Sequence, residues 1–295
     1  MRRVLTLFFL LVIGGLALAF WLTRPLPFSS EELPQMAGDA VAGRQVFLAA
    51  GCASCHADRG AEAQQAPILS GGRRLSTEFG EFITPNISSD PVHGIGSYDL
   101  AGLASVLKRG VTPDGRHLYP VMPYTSYIRM ELQDIADLKA FLDSLPASDE
   151  VPQPHEISLP WSLRSTIGLW KKRYLDPNFV GAAPSERVER GRYLAEALGH
   201  CAECHTPRDR WGGLDRSRWM AGAPGLSGSS VAPNVTPAAL DWSRDEVAWF
   251  LESGHSPRDE TASNEMESVI AGLAQLPKED LEALAFYLAS LAPIE

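Results

Sequence analysis

The pentapeptide Cys52-Ala53-Ser54-Cys55-His56 recurs as Cys201-Ala202-Glu203-Cys204-His205, and these are the only four cysteines in the chain. No other feature constrains the fold as tightly. Two thiols three residues apart lie on one side of a helical turn. Both can therefore form thioethers to one porphyrin, while the next residue carries an imidazole under its iron. Each pair reads as a covalent haem c site, with Cys52, Cys55, Cys201 and Cys204 as attachment points and His56 and His205 as proximal ligands. The competing readings are zinc thiolates, a redox dithiol or a disulfide. Paired C-x-x-C motifs sharing one zinc stand about 15 to 20 residues apart, whereas nearly half the chain separates Cys55 from Cys201. None of these rivals explains a histidine after both pairs.

A length of 295 residues suits about two domains. A hydrophobic content of 45% and a charged content of 21% are ordinary for a globular protein. The formal net charge of −10, without a basic run, argues against nucleic acid as a partner. It suits a basic redox partner as well as plain solubility.

Met1-Arg2-Arg3 precedes Val4 to Thr23, a stretch without a charge. At about 1.5 Å per residue, a helix of that length spans the roughly 30 Å hydrocarbon core. The flanking arginines stay cytoplasmic and the remainder is exported, as covalent haem attachment outside the bacterial inner membrane requires. Residues 1–24 are thus expected to be a membrane anchor or a signal. Ala17-Leu18-Ala19 resembles a cleavage site, which would leave a soluble periplasmic protein. The apolar run nevertheless continues through Phe20, Trp21 and Leu22, and Trp21 suits the membrane interface. Residues 25–38, rich in proline at their start, read as an extended tether.

An internal repeat follows. Gly43 to Gly51 leads into the first cysteine pair and Gly191 to Gly199 into the second, with His200 as one extra residue. Thr84-Pro85-Asn86-Ile87-Ser88 answers Ala232-Pro233-Asn234-Val235-Thr236, at nearly the same interval after each motif histidine. Helical patterns at Leu100 to Arg109 and Arg244 to Glu252 are followed by Gly110 and Gly254, as helix C-caps prefer. Leu132 to Leu142 matches Lys278 to Leu288, with apolar residues at three- and four-residue spacing. No alternating strand pattern is evident, so the expected fold is all-α, with domains at 39–147 and 186–295. Residues 148–185 form a proline-rich linker with a short helix from Trp161 to Tyr174. That helix is expected to carry Arg164, Lys171, Lys172 and Arg173 on its polar side. Its apolar stripe would pack across the domains or rest on lipid or a partner.

An iron held by one histidine needs a second axial ligand, water or an open site. Methionine there raises the reduction potential and closes the metal to substrate. Met122 lies in the proline-stiffened Tyr119-Pro120-Val121-Met122-Pro123, and Met266 occupies a similar interval in the second half. Either could instead fill a core gap, as Met130 is expected to do. Met220 is the substitute ligand for the second half. His93, His117, His155, His200 and His255 recur at no matching place.

With these residues in hand, the chain resembles class I c-type cytochromes. More closely, it is similar to the cytochrome c subunits of membrane-bound bacterial alcohol and gluconate dehydrogenase complexes. The resemblance rests on both cysteine motifs, Phe79-Gly80 with Thr84-Pro85-Asn86-Ile87, Gly94-Ile95-Gly96, Leu118-Tyr119-Pro120 with Met122-Pro123-Tyr124, His205-Thr206-Pro207-Arg208 and Ala232-Pro233-Asn234-Val235-Thr236. It covers residues 39 to 295; those subunits commonly carry three haem motifs, this chain two. The resemblance implies two tandem class I cytochrome c domains, two covalently bound haem c groups, and Met122 and Met266 as sixth ligands. It also implies electron passage from a periplasmic dehydrogenase subunit toward quinone, another cytochrome or a terminal oxidase.

The competing function is a dihaem enzyme, peroxidase-like or thiosulfate-oxidising, in which one iron is catalytic. No spare cysteine exists for a thiolate-ligated iron, and no dinucleotide fingerprint or signalling output domain is visible, so the electron donor is expected on a separate chain. Replacing Cys201 and Cys204 by serine is expected to lower the pyridine haemochrome yield from two haems per chain to one. An unchanged yield would refute the assignment of the second motif.

Overall fold

The computed structural model describes residues 2–58, 60–61, 64–225, 231–263 and 265–295. Helix α1 (Arg2–Thr23) has a mean hydropathy of 2.5 over its apolar window, none of which is buried. It is long and apolar enough to cross a membrane, or to serve as a signal.

The segment after it lies along the first half instead of standing clear as a tether. The Arg109 guanidinium sits 3.4 Å from the centre of the Phe28 ring and donates to the carbonyls of Leu26 and Pro27. It also pairs with Glu32 at 3.1 Å. The Phe28 amide donates to Ser105 Oγ at 2.7 Å, and the Ser30 hydroxyl to Asp99 at 2.6 Å. The prolines suggested an extended chain, but Phe28 has an apolar and cationic seat far away in sequence.

Asp39 caps α2 (Ala40–Ala49) by accepting from the amides of Val41 and Ala42, and α3 (Cys52–His56) follows. Next comes a hairpin of β1 (Arg74–Thr77) and β2 (Gly80–Ile83), with Arg74 opposite Ile83. Helix α4 (Leu100–Ala104), capped by Asp99, continues as a π-helical turn through Arg109 and stops at Gly110, whose φ of +58° is the expected left-handed cap. Helices α5 (Tyr124–Tyr127) and α6 (Leu132–Ser144) complete the first half. Strand β3 (Glu156–Ile157) then pairs with β2, so the linker adds a third antiparallel strand.

The second half comprises α7 (Ser165–Tyr174), α8 (Glu186–Tyr193) with a π-helical turn through Leu198, and α9 (Ala202–His205). It continues with β4 (Ala223–Pro224) paired to β5 (Val231–Ala232), then α10 (Arg244–Ser253), α11 (Glu265–Leu273) and α12 (Lys278–Ser290). The chain is mostly helical, in line with the all-α expectation, and short strands accompany the helices. Strands of two to four residues are too short to show an alternating pattern, and β3 finds its partner more than seventy residues away.

The same close approach builds both halves. At Gly43 in α2 a Cβ would stand 1.9 Å from the carbonyl oxygen of Asp137 in α6. At Gly191 in α8 it would stand 1.9 Å from the carbonyl oxygen of Ala283 in α12. A single buried cluster runs from Val46 through Leu138 and Leu198 to Leu291, so the halves share one core.

Helix α7 also departs from expectation. Lys171 points inward at 8% exposure and donates to the carbonyls of Arg109 and Gly110 at 2.8 and 2.5 Å. His117 lies 3.1 Å away through Nδ1, and its Nε2 is 2.7 Å from the Thr23 carbonyl. A carbonyl only accepts, so Nε2 carries the proton and Nδ1 accepts from Lys171. Gly168 presses on the same residue, since a Cβ there would meet the Thr23 oxygen at 2.3 Å. Three acceptors satisfy this lysine there, while burial lowers its pKa to about 7.

Gly43→Ala and Gly191→Ala should each lower the stability of the folded protein by about 1–3 kcal/mol through overpacking. Chemical denaturation measures this; unchanged midpoints would show that the helices can separate without cost.

Candidate haem sites

The first motif begins at a turn. Gly51, with φ +59°, reverses the chain after α2 so that Cys52 opens a new helix. In the second half His200 does the same at φ +41°, a conformation that costs energy for a residue with a side chain. Packing supports it there: the His200 ring stands 5.7 Å from Tyr127, edge to face, and the Tyr127 hydroxyl donates to the Ala50 carbonyl at 2.9 Å. Tyr127 thus touches the approach to both motifs, a role that the sequence does not suggest.

His56 Nδ1 lies 2.8 Å from the Pro85 carbonyl oxygen, and His205 Nδ1 lies 2.8 Å from that of Pro233. Each carbonyl can only accept, so Nδ1 carries the hydrogen and the Nε2 lone pair is free. That is the tautomer and the ring orientation an iron ligand needs. Burial lowers the pKa of both imidazoles, opposed by the hydrogen bond to the proline carbonyl. Both stay neutral at physiological pH, which is the ligating form.

The proline carbonyls are held in turn by the asparagines that follow them. Asn86, at 2% exposure, donates to the carbonyls of Ser148 and Glu150 at 2.8 and 2.9 Å and accepts from the Ser88 amide at 2.9 Å. Asn234 donates to the Ile294 carbonyl at 2.7 Å and accepts from the Thr236 amide at 2.9 Å. Each Pro-Asn step therefore joins a motif histidine to the chain just beyond the closing helix. The repeat of Pro-Asn in the sequence pointed to this segment; its bonding partners were not legible.

None of the four cysteines is paired in a disulfide. Burial, with the neighbouring cysteine second, pushes Cys52 and Cys201 up to about 12. These are not the lowered pKa values of a reactive redox pair. Among the described residues no three His, Cys, Asp or Glu side chains gather as metal ligands. In each half, a thiol pair on one helical turn with a neutral histidine behind it fits covalent haem, not a zinc cage.

Met122 is half-buried in a loop closed by hydrogen bonds from its amide to the Tyr119 carbonyl and from the Tyr124 amide to its own carbonyl, at 3.1 and 2.8 Å. Met266 is half-buried too, but it stands in the first turn of α11, a helix not anticipated from the sequence. Both pack against the shared core. Met220 is fully buried, and its carbonyl accepts from Val235 as that of Leu69 accepts from Ile87. It stands in the second half where Leu69 stands in the first. Met130, at 2% exposure, is core as expected. His117 is engaged as described above, and His155 accepts from the Ile83 amide at 3.1 Å.

A family model for cytochrome c matches residues 40–146. The chain is 47% identical over 298 residues to a diheme c-type cytochrome of Cereibacter sphaeroides, covering all of both chains. It is 32% identical over 277 residues to the fructose dehydrogenase cytochrome subunit of Gluconobacter japonicus, covering 91% of this chain and 55% of the other. It is 32% identical over 273 residues to the gluconate 2-dehydrogenase cytochrome c subunit of Pantoea cypripedii, covering 86% of this chain and 60% of that one. The chain thus spans little more than half the length of these two dehydrogenase subunits.

Asn86→Ala and Asn234→Ala should each cost about 1–2 kcal/mol, because the part-buried hydrogen bonds that anchor each loop are lost. Guanidinium unfolding followed by circular dichroism measures the loss. Wild-type midpoints in both variants would show that these bonds do not hold the loops.

Proposed function

The chain belongs to the cytochrome c family, and from that premise we propose that it is a dihaem electron carrier with one covalent haem c in each of two tandem domains. The carrying observation is the repeated bond from the motif histidine to a proline carbonyl, which prepares His56 and His205 alike as axial ligands. Cys52 and Cys55 hold the first haem, Cys201 and Cys204 the second. Met122 and Met266 supply the sixth ligands. The haem iron, when bound, supplies a one-electron couple whose potential methionine ligation raises. The apolar core shared by the two halves would limit solvent access to that couple.

The electron donor in this reading is a periplasmic dehydrogenase subunit, and the acceptor is quinone, another cytochrome or a terminal oxidase. The names of the fructose and gluconate dehydrogenase relatives support a dehydrogenase partner. Helix α1 tethers the protein to the bacterial inner membrane, and its length and apolarity support that placement. Persistence of the haem-stained chain in membranes after an alkaline carbonate wash tests it; release to the supernatant would favour cleavage near Ala19.

A second reading draws on Met266. This residue lies at the start of a helix instead of in a proline-stiffened loop, beside an exposed Glu265. An iron without that ligand would be open to a substrate, as in a dihaem enzyme.

The two readings separate on the purified holoprotein. The carrier should bind no carbon monoxide in the ferrous state. Met122→Ala and Met266→Ala should each remove one methionine–iron signature and lower the potential of one haem. Carbon monoxide binding by the wild type, with a spectrum unmoved in Met266→Ala, would favour the enzyme.

A further inference from the structure

The residue before the second cysteine differs between the motifs, serine at 54 and glutamate at 203. Haem attachment asks nothing of that position, yet Glu203 is a carboxylate whose side chain is only 11% exposed. A charge so placed persists only when paired and hydrogen-bonded. Its Oε1 accepts from the Thr125 hydroxyl and its Oε2 from the Arg208 guanidinium, which also donates to the Glu203 carbonyl at 3.0 Å. Thr125 belongs to the other half, three residues beyond Met122 and in the first turn of α5. Its carbonyl accepts from Arg129 at 2.8 Å, and Arg129 donates in turn to the Asn178 carbonyl at 3.0 Å. The segment that carries Met122 is therefore gripped from outside its own half.

The equivalent position of the first motif has the mirrored arrangement. The Ser54 carbonyl accepts from Arg73, and the same guanidinium pairs with Glu265 at 3.4 Å. Glu265 immediately precedes Met266. This second brace is the weaker, since the Glu265 side chain is 67% exposed.

We propose that each haem motif positions the methionine segment of the opposite half: Glu203 acts through Thr125 on Met122, and Ser54 acts through Arg73 and Glu265 on Met266. The sixth ligand of one iron then depends on the fold around the other, which couples the two potentials without any direct contact between ligands. The inference rests on the assignment of Met122 and Met266 as ligands. Glu203, Thr125 and Arg73 are positioning residues, since each would act on iron only through another side chain.

The experiment uses the full-length holoprotein. Thr125→Val removes the donor to Glu203 and keeps the shape; Thr125→Ser restores the donor. Methionine–iron signatures in the ferric spectrum and both haem potentials are read in each. The expected result is loss of one methionine signature and a lowered potential for one haem in Thr125→Val, with the other haem unmoved and both values restored in Thr125→Ser. Combining Thr125→Val with Met122→Ala should change neither haem further than Met122→Ala alone, which identifies the affected iron. Arg73→Met should lower the potential of the second haem alone. If Thr125→Val keeps both signatures and both potentials while Met122→Ala loses one, the brace is refuted and the ligand reading survives. If Met122→Ala itself leaves the spectrum unmoved, the ligand reading falls and the brace falls with it.

Discussion

The structure turns on one hydrogen bond made twice, from a motif histidine to a proline carbonyl. A histidine free to rotate would present either nitrogen to a ligand site. With Nδ1 engaged by Pro85 or Pro233, each ring keeps one tautomer and one orientation. That bond is only as firm as the loop that supplies the carbonyl. Asn86 and Asn234 anchor the loops to residues 148–150 and 294, beyond the closing helices. The closing helices are anchored in turn by the crossings at Gly43 and Gly191, where backbone meets backbone. The chain of constraint therefore runs from a missing side chain in α2 or α8 to the direction of an imidazole.

The two halves use this scheme with different interiors. At the level of Leu48 in α2, the second half carries Glu196, which is fully buried. Its carboxylate accepts from the amides of Val180 and Gly181, both at 2.7 Å, and from the Tyr287 hydroxyl at 2.5 Å. A buried carboxylate with three donors is satisfied, and removing any one of them would leave it costly. This polar knot fixes the end of the linker onto α12 through Tyr287, which Trp219 also contacts at 3.2 Å. The first half has no need of such a knot because Phe28 and Arg109 fasten its preceding segment from outside. At this level a leucine serves one half and a buried carboxylate the other, around the same helical crossing.

What was legible in the sequence was local. The cysteine pairs, the helices over Leu132 to Leu142 and Lys278 to Leu288, and the glycine caps at 110 and 254 all rest on spacing within a few turns. What was not legible depended on partners distant in the chain. Lys171 looked like a surface cation until the Arg109 and Gly110 carbonyls and His117 came within reach of it. The β1–β2 hairpin gained its third strand only from residues 156–157. Met266 was a candidate by its interval and Met220 its substitute, and only the fold sets the first at the start of a helix and the second where Leu69 stands in the first half. Periodicity names a face; it does not say what will cover it.

The junction between α1 and the rest sets how this protein could work at a membrane. Thr23, the last residue of α1, has its carbonyl bonded to His117 and pressed by Gly168. Residues 26–32 are then held by Arg109, Ser105 and Asp99. Helix α1 is thus fastened at its last turn and again over the strap that follows it. With α1 in a bilayer, these bonds would keep the first half close to the side where α1 ends. The strap, the shared core and the reciprocal contacts at the two motifs act together, since each half is placed partly by bonds that begin in the other.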